Sequence, residues 1–350
     1  MARILFIGID FYDYAARITA AFERLGHTID FHPIEDRSFA ARTAKMLAPS
    51  AYEERRAVYH SRLIEASAAI DYDIVLFIQT HQMRHEALER LRALQPRARF
   101  VLYNWDALTT HDFRPWIKHF DHVATFDPED AQALGVAYLP LFAIPRFLEV
   151  DQTRPALQDI YFVGSIVSME RYRSIARLHD FCQSAGLTTR FHLSCSPVAR
   201  AKTWKTGLSV PGVTSKTIGF EEIVAILETS RATFDFANHK QSGYTMRLIE
   251  NMCAGRKIIT ENARILDEPF YREDRFLLVD GYDFSAVPDF LARPITSRLD
   301  VQRYGIDSWA AQLIAEPDAA RPSSASPPSP GLKPSRALPR SGAGSFPDAA

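Results

Sequence analysis

The sequence is poor in cysteine, in net charge and in long hydrophobic runs, and each shortage excludes a class of protein. Its 350 residues include three cysteines, Cys182, Cys195 and Cys253, with no C-x-x-C pair. This odd, scattered set argues against a disulfide framework and favours reduced thiols in a cytoplasm. A formal net charge of −1 gives no global attraction to nucleic acid. No apolar run reaches the ~20 residues that a membrane-spanning helix needs.

Targeting and metal-binding patterns are missing as well. The short apolar run at the amino terminus meets Asp10 and Asp13 at once, which is unlike a signal peptide. No set of histidine, cysteine or carboxylate residues has zinc-ligand spacing, and His119 and His122 fit a helix-to-strand surface. We expect a cytoplasmic protein with no metal site, no resident cofactor and no nucleic-acid partner.

What is present is a repeated alternation of apolar strands and amphipathic helices. With 47% hydrophobic residues, a chain of this length can bury enough surface for two domains. The alternation breaks at 143–158 and then restarts, which predicts two parallel sheets with helices on both faces. The predicted strands are 3–8, 27–33, 72–80, 99–106, 122–127, 136–142, 159–166, 188–195, 231–237, 256–262 and 275–280.

The predicted organisation follows from this break. Residues 1–145 form a first Rossmann-like domain, residues 146–299 form a second, and 300–316 form a final helix with Trp309 on its apolar face. A basic loop with Lys202, Trp204 and Lys205 is expected in the second domain. Residues 317–350, rich in Pro, Ser, Ala and Gly, are predicted to be disordered.

The stretch FDFANHKQSGYTMRLIENMCAGRKIIT, residues 234–260, places chemistry at the start of one predicted helix. Gly243 lets the backbone approach a ligand, and the free N–H groups of the first turn favour a phosphate. Thr245 adds a hydroxyl and Arg247 a charge-assisted contact. Glu250, about one and a half turns into the helix, suits the two hydroxyls of a ribose. Together they predict a nucleoside diphosphate site.

A simpler interpretation explains the same residues as an ordinary amphipathic helix. Met246, Ile249 and Met252 would face the core. Arg247 and Glu250 would form a surface pair worth a few tenths of a kcal/mol. Residue types alone do not choose between the two.

Two further places carry candidate residues just after strands. Gly164 and Ser165 predict a tight turn with exposed amides, and Arg171 could clamp a phosphate there, although Gly-Ser turns and solvated arginines are common. In the first domain, Asp106, His81 and Asp10 are candidate general bases. Each has a structural alternative, since Asp often caps a helix and a lone His is often structural.

Several segments taken together resemble a known family. QSGYTMRLIENMCAGRKIIT resembles the donor-site segment of GT-B-fold glycosyltransferases. LYNWDAL, FDHVATFDPEDA, YLPLF and DIYFVGS followed by ERY look like bacterial lipopolysaccharide or capsular polysaccharide biosynthesis proteins, and are distantly similar to CgeB-type glycosyltransferases. The resemblance covers about residues 1–315. It implies two domains facing a cleft, with a glycan or lipid-linked acceptor on the first and a nucleotide-sugar donor on the second.

The resemblance also implies roles for residues. Glu250 matches the second glutamate of the family's E-x7-E pattern, which holds the ribose. Gln241 or Ser242 stands where the first glutamate would be, so the donor sugar and the stereochemistry stay open. Arg171, Thr245 and Arg247 would contact the diphosphate, without a metal ion, and the nucleotide sugar would serve as co-substrate.

Three functional hypotheses result. The first is a metal-independent glycosyltransferase of bacterial surface polysaccharide biosynthesis. The second is a non-catalytic nucleotide-binding protein on the same fold. The third is an interaction protein that uses the aromatic residues Phe11, Tyr12 and Tyr14. The Arg-rich region 37–62 could touch the inner membrane, although a solvated helix face explains it equally.

Overall fold

The computed structural model describes residues 1–10, 13–236 and 241–316. The predicted disorder of 317–350 and the proposed aromatic surface at Phe11 and Tyr12 lie outside these ranges. Residues Met1–Ala315 form one compact unit.

The first half of this unit is a six-stranded parallel sheet in the order β2-β1-β3-β4-β5-β6. Its strands are β1 Arg3–Gly8, β2 Thr28–Pro33, β3 Ile74–Ile78, β4 Arg99–Asn104, β5 His122–Thr125 and β6 Ala137–Tyr138. Its helices are α1 Tyr14–Arg24, α2 Phe39–Leu47, α3 Pro49–Ser67, α4 His85–Leu94, α5 Pro128–Leu134 and α6 Pro145–Leu148, with a 3-10 helix at Arg114–His119. The last strand is far shorter than the predicted 136–142, because Pro140 has no N–H to continue the ladder.

The second half repeats the architecture in the order β12-β11-β10-β7-β8-β9, again all parallel. Its strands are β7 Gln158–Ser165, β8 Thr189–Ser194, β9 Val213–Thr214, β10 Ser230–Asp235, β11 Lys257–Thr260 and β12 Phe276–Leu278. Its helices are α7 Met169–Ser184, α8 Pro197–Trp204, α9 Phe220–Glu228, α10 Met246–Cys253, α11 Val287–Ala292 and α12 Ile306–Ile314, with 3-10 helices at Ala263–Asp267 and Gln302–Tyr304.

The prediction of a basic loop around Lys202 is wrong, because residues Pro197–Trp204 form helix α8. The Ser196 hydroxyl accepts from the amide of Ala199 at 3.2 Å, and Pro197 occupies the first turn. A serine cap followed by proline is a helix start, so the signal was present in the sequence. Trp204 at the end of the helix is exposed.

One hydrophobic cluster includes residues from both sheets and from α1, α10 and α12. Trp309 on α12 is buried there, with its ring centroid 4.6 Å from that of Phe142 and 5.0 Å from that of Tyr103. Arg99 on β4 donates to the carbonyl of Ile314 at 2.8 Å. The final helix therefore packs on the first sheet, while the domain boundaries at residues 145 and 299 stay a prediction.

Each sheet has a point where the strand order reverses. In the first sheet it lies between β1 and β3, and in the second between β7 and β10. Ligands of open α/β sheets bind beyond the carboxyl ends of the strands at such points. These two crevices are therefore where functional side chains are expected.

Candidate functional site

Two arginines lie at the reversal point of the second sheet. Arg171 Nη1 donates to the carbonyl of Ser165 at 3.1 Å, and Arg247 Nη2 donates to the carbonyl of Val163. These carbonyls are two residues apart at the carboxyl end of β7. A Cβ added to Gly164 would stand 2.8 Å from Arg247 Nη2, so glycine leaves room for this guanidinium. The sequence-predicted pair is thus brought to one place.

The positive charge at this point is not matched by ion pairs. Within residues 1–10, 13–236 and 241–316, no carboxylate forms a salt bridge with Arg171 or Arg247, and Arg171 Nε is buried without a hydrogen-bond partner. Burial, followed by the charge of Arg247, lowers the pKa of Arg171 to about 10, and Asp235 opposes this only in part. Two adjacent, incompletely neutralised guanidiniums are suited to bind a phosphate.

Gly164 and Ser165 do not form the predicted tight turn. Both belong to β7 and pair with Leu193 and Ser194 of β8. The Ser165 hydroxyl lies 2.8 Å from that of Ser194. Gly164 and Ser165 therefore belong to the strand end whose carbonyl groups accept hydrogen bonds from Arg171 and Arg247.

Thr245 is the N-cap of α10. Its hydroxyl accepts from the amide of Leu248 at 3.2 Å and donates to Asp235 Oδ1 at 2.5 Å. The hydroxyl of Thr260 donates to the other carboxylate oxygen of Asp235 at 3.2 Å. Asp235 ends β10 and is buried, so these bonds fix the helix start to the end of the sheet.

Gly243 is required by a close contact with the first half of the molecule. A Cβ there would lie 2.6 Å from the carbonyl oxygen of Phe126. The amide of Gly243 donates to Asp127 Oδ2 at 3.1 Å, and that of Ser242 does so at 2.7 Å. In this structure these amides therefore bind a carboxylate of the chain, where a ligand phosphate was predicted. Gln241 donates to the carbonyl of Gly243 at 3.3 Å.

Asp127 is a residue that the sequence analysis missed. Its Oδ1 caps α5 by accepting from the amides of Glu129 and Asp130 at 3.0 and 3.2 Å. Burial would raise its pKa, but the hydrogen bonds, led by that from Ser242, outweigh burial and hold the pKa below its ordinary value. Asp followed by Pro-Glu is a typical start of a helix, so this capping role could be predicted from the sequence. The contacts of Asp127 with Ser242 and Gly243 could not, because these residues are distant in the sequence.

Glu250 faces the first half of the molecule. Its Oε1 accepts a hydrogen bond of 2.7 Å from the hydroxyl of Tyr14 at the start of α1. Burial raises the pKa of Glu250 to about 7, although the Tyr14 hydrogen bond and the charge of Arg247 both act to lower it. Burial therefore favours the protonated form of this carboxyl group.

Asp106 lies in a polar cluster beyond the first sheet. Its Oδ2 lies 2.9 Å from His111 Nδ1 and also accepts from the side-chain Nε2 of Gln79, a residue with φ of 64°. His81 stacks on His111 with ring centroids 3.8 Å apart. Burial, followed by the charge of His111, lowers the pKa of His81 to about 4. Asp106 and His81, two of the three candidate bases, therefore lie in one site with His111, which the sequence analysis missed.

Asp10 is not joined to this cluster by any described hydrogen bond. It is exposed and forms an ion pair with Arg37, with Nη1 and Oδ2 2.9 Å apart. Trp105, the neighbour of Asp106, links the cluster to the second half. The Trp105 ring lies 5.5 Å from that of Tyr14, which contacts Glu250.

Comparison with solved structures identifies the architecture. OtsA in its apo form aligns with a TM-score of 0.57 at 12% identity, over 90% of this chain and 100% of OtsA. AviGT4, a glycosyltransferase involved in avilamycin A biosynthesis, aligns with 0.55 at 12% identity, over 89% and 93% of the two chains. A UDP-GlcNAc 2-epimerase of Methanocaldococcus jannaschii, solved with UDP-GlcNAc and UDP, aligns with 0.53 at 10% identity, over 90% and 98%.

These similarities show the fold alone, which is the GT-B-like pair of Rossmann-like halves that the sequence predicted. No protein-family model matches the sequence, and no curated protein sequence matches it. The narrower resemblance to polysaccharide biosynthesis and CgeB-type proteins therefore stays a prediction.

The described residues contain no group of three or more His, Cys, Asp or Glu side chains placed to hold a metal ion. None of the described helices is long and apolar enough to cross a membrane.

Proposed function

We propose that the protein is a glycosyltransferase that takes a sugar from a nucleoside diphosphate sugar. The observation that carries this proposal is the pair Arg171 and Arg247 at the reversal point of the second sheet, with no described carboxylate in ion-pair contact. Guanidiniums stabilise the charge that develops on a diphosphate leaving group, which a metal ion would otherwise do. Similarity to a glycosyltransferase and to a UDP-bound enzyme supports the assignment.

Glu250 would bind the ribose on the same helix as Arg247. Its carboxylate is now bonded to the hydroxyl of Tyr14, and a ribose hydroxyl would take the place of that donor. The contact between the two halves at Tyr14 and Asp127 would then have to loosen when the donor enters.

The acceptor would bind beside the first sheet, and its hydroxyl would lose a proton to the cluster at Asp106. The Asp106 carboxylate holds the His111 ring through Nδ1, an arrangement in which a carboxylate orients a histidine base. His81, with its low pKa, is a weaker base. Direct attack by the activated hydroxyl would invert the configuration of the sugar.

The class of acceptor is proposed from the sequence resemblance: a glycan or a lipid-linked glycan of bacterial surface polysaccharide biosynthesis.

Helix α2 supports a peripheral contact with the inner membrane from the cytoplasm, because Phe39, Met46 and Leu47 are 79, 76 and 71% exposed. Exposed apolar side chains grouped on one helix suit a lipid surface. Phe39→Ser should reduce sedimentation with phosphatidylglycerol vesicles, and equal sedimentation of both proteins would argue against the contact.

The first test is calorimetric titration of UDP, GDP, ADP and CMP into the full chain and into Glu250→Ala. We expect one nucleotide to bind tightly and the variant to lose most of that affinity. Unchanged affinity in a folded variant would remove Glu250 from the site. No binding by any nucleotide would instead favour an interaction protein.

A second candidate is a nucleotide-sugar binding protein without transferase activity. It is favoured by one observation: Ser242, in the region of the missing first glutamate, donates its amide to Asp127 of the first half at 2.7 Å. Nucleotide binding without sugar release or transfer, over a panel of donors and acceptors, would support this candidate and overturn the transferase.

A further inference from the structure

A cavity of about 600 Å³ opens at the amino-terminal edge of the second sheet. Four cationic residues line it, at or just before the starts of three strands: Arg231 in β10, Arg256 and Lys257 at β11, and Arg275 before β12. Because the strands are parallel, this edge is opposite to the one that carries Arg171. The cavity is therefore separate from the proposed donor site.

The lining is positively charged and incompletely neutralised. No carboxylate is among the described residues that line it. Arg231 forms an ion pair with Asp159, with Nη1 and Oδ1 2.8 Å apart. Asp274 is close enough to act on Arg275 and Lys257, but its oxygens already accept from the backbone amides and hydroxyls of the 296–297 segment. Glu228 and Asp151 act on Arg256, but both oxygens of Glu228 are already paired with Arg146 and Arg154, at 2.8 and 2.9 Å.

Arg256 provides an independent indication of a ligand. Its side chain is buried, with the residue only 9% exposed, and its Nε has no hydrogen-bond partner in the described part of the chain. Its other nitrogens reach only the carbonyls of Ser230 and Asp151, at 3.3 and 3.4 Å. Burial lowers the pKa of Arg256, and the nearby charges of Glu228 and Asp151 offset this only in part. Neither carboxylate forms a hydrogen bond with it among the described residues, so a bound anion would lower the cost of burying this guanidinium.

The neighbouring lysine shows the same excess of charge. Burial, and then the charge of Arg231, lower the pKa of Lys257 to about 8. Its amine donates to the carbonyls of Phe290 and Arg293 at the end of α11. An ammonium group with three donors keeps one beyond these two carbonyls for a ligand.

The cavity also touches both chain connections between the two sheets. Gln152, on its wall, belongs to the segment between β6 and β7, and Val301 belongs to the segment that leads back to α12. A ligand here would contact both connections at once.

We propose that this cavity is a second anion site, which binds a small phosphorylated compound. Phosphate oxygens accept charge-assisted hydrogen bonds from guanidinium groups. Arg275 Nε and Nη2 already donate to Ser297, at 3.0 and 2.6 Å, which leaves its Nη1 for a ligand, and Nε of Arg256 has no partner in the described part of the chain. The volume lies within the range of roughly 300–1,000 Å³ of small-molecule pockets, and exceeds what a single inorganic ion needs. The proposal does not rest on transferase activity.

The test is calorimetric titration of inorganic pyrophosphate into full-length protein that carries Arg171→Gln and Arg247→Gln, so that the donor site is silenced. We expect saturable binding at one site in this background. Adding Arg275→Gln or Arg256→Gln should weaken it about tenfold or more, the effect of losing one charge-assisted contact. Arg298→Gln is the matched control. Arg298 is exposed and lies between the lining residues Ile295 and Leu299, but it does not itself line the cavity.

Two outcomes would overturn the site: no saturable binding in the silenced background, or equal affinity in the Arg275→Gln and Arg298→Gln proteins. If Arg256→Gln fails to fold because Arg256 supports two backbone carbonyls, Arg275→Gln decides the question. Loss of nucleotide binding at the donor site would leave this result unaffected, so the two proposals fail separately.

Discussion

Arg171 and Arg247 are the residues on which the functional proposal depends most. Each is half-buried, and each donates one hydrogen bond to a carbonyl at the end of β7. Arg247 also lies 4.4 Å above the ring of Phe162. These contacts fix the guanidiniums before any ligand arrives, which reduces the entropy lost when a phosphate binds.

Arg171→Gln should therefore weaken binding of the preferred nucleotide by roughly 10- to 100-fold, the equivalent of one hydrogen bond to a charged group. Calorimetry measures the change. Arg173→Gln is the control, because Arg173 lies on the same helix and is exposed. Equal affinities of the two variants would contradict a phosphate contact at Arg171.

The pKa of Glu250 has a consequence for stability. A carboxyl with a native pKa of about 7 holds its proton more tightly when folded than when unfolded, where the value is near 4.3. The folded state thus binds more protons between these values, and the free energy of unfolding falls as pH rises from about 4.5 to 7.

Glu250→Gln removes this ionisation but keeps an oxygen that can accept from Tyr14. We expect the variant to gain about 1–3 kcal/mol of stability relative to the native protein between pH 5 and pH 8. Urea unfolding at both pH values measures this. A constant difference in unfolding free energy across the range would show that Glu250 titrates normally.

The cluster at Asp106 makes a prediction about rate. Asp106→Asn should lower the transfer rate by about 10²- to 10⁴-fold, the typical contribution of a general base, and leave nucleotide affinity unchanged. His111→Gln should have a similar effect, and His81→Gln a smaller one. Single-turnover transfer assays separate the three, and a larger loss in His81→Gln would make His81 the base.

At the scale of elements, helix α10 satisfies both sequence interpretations in part. Ile249 and Met252 are buried and Met246 packs on the core, as the amphipathic pattern predicted. Arg247 and Glu250, however, do not form a surface ion pair. Each is half-buried and has its hydrogen bond elsewhere, so the polar residues of this helix are directed to the two halves of the crevice.

Thr245 positions this helix. Thr245→Ala should destabilise the protein by about 1–2 kcal/mol, because it removes the N-cap of α10 and one partner of the buried Asp235. Thr245→Ser keeps the hydroxyl and should cost much less. Urea unfolding of both variants provides the measurement, and equal losses would mean that the methyl group, not the hydroxyl, matters.

At the scale of the whole molecule, the two halves are joined by polar contacts as well as by a shared core. Asp127 of the first half accepts from Ser242 and Gly243, just before α10, and Tyr14 donates to Glu250 within α10. Both contacts lie where the donor is proposed to enter. Opening and closing of the crevice would therefore change them together.

Asp127→Asn tests this junction. One oxygen of Asp127 caps α5 and the other accepts from Ser242 and Gly243, so an amide group must turn its N–H₂ towards one set of donors. We expect a loss of about 1–3 kcal/mol and faster hydrogen exchange at the 242–245 segment.

Asp130→Asn is the matched control, since Asp130 Oδ2 accepts from Leu108 within the first half. It should leave exchange at 242–245 unchanged. The same exchange rates in both variants would show that Asp127 does not hold the halves together.

The amino-acid sequence was enough to predict the α/β architecture of two parallel sheets, most strand positions and the residue types of the donor crevice. These depend on hydrophobic periodicity and on turn and helix signals, which are local along the chain. Asp106, Arg171 and Glu250 could be selected because residues that follow parallel strands gather at one edge of a sheet.

What each of these residues contacts became visible only in the folded chain. Gly243 is needed beside Phe126, Glu250 meets Tyr14, and His111 joins Asp106. Two of these three contacts join residues more than a hundred positions apart. The charge balance of a site depends on every group packed around it, so the unpaired arginines of the donor crevice, and those of the second cavity, could be seen only once the chain was folded.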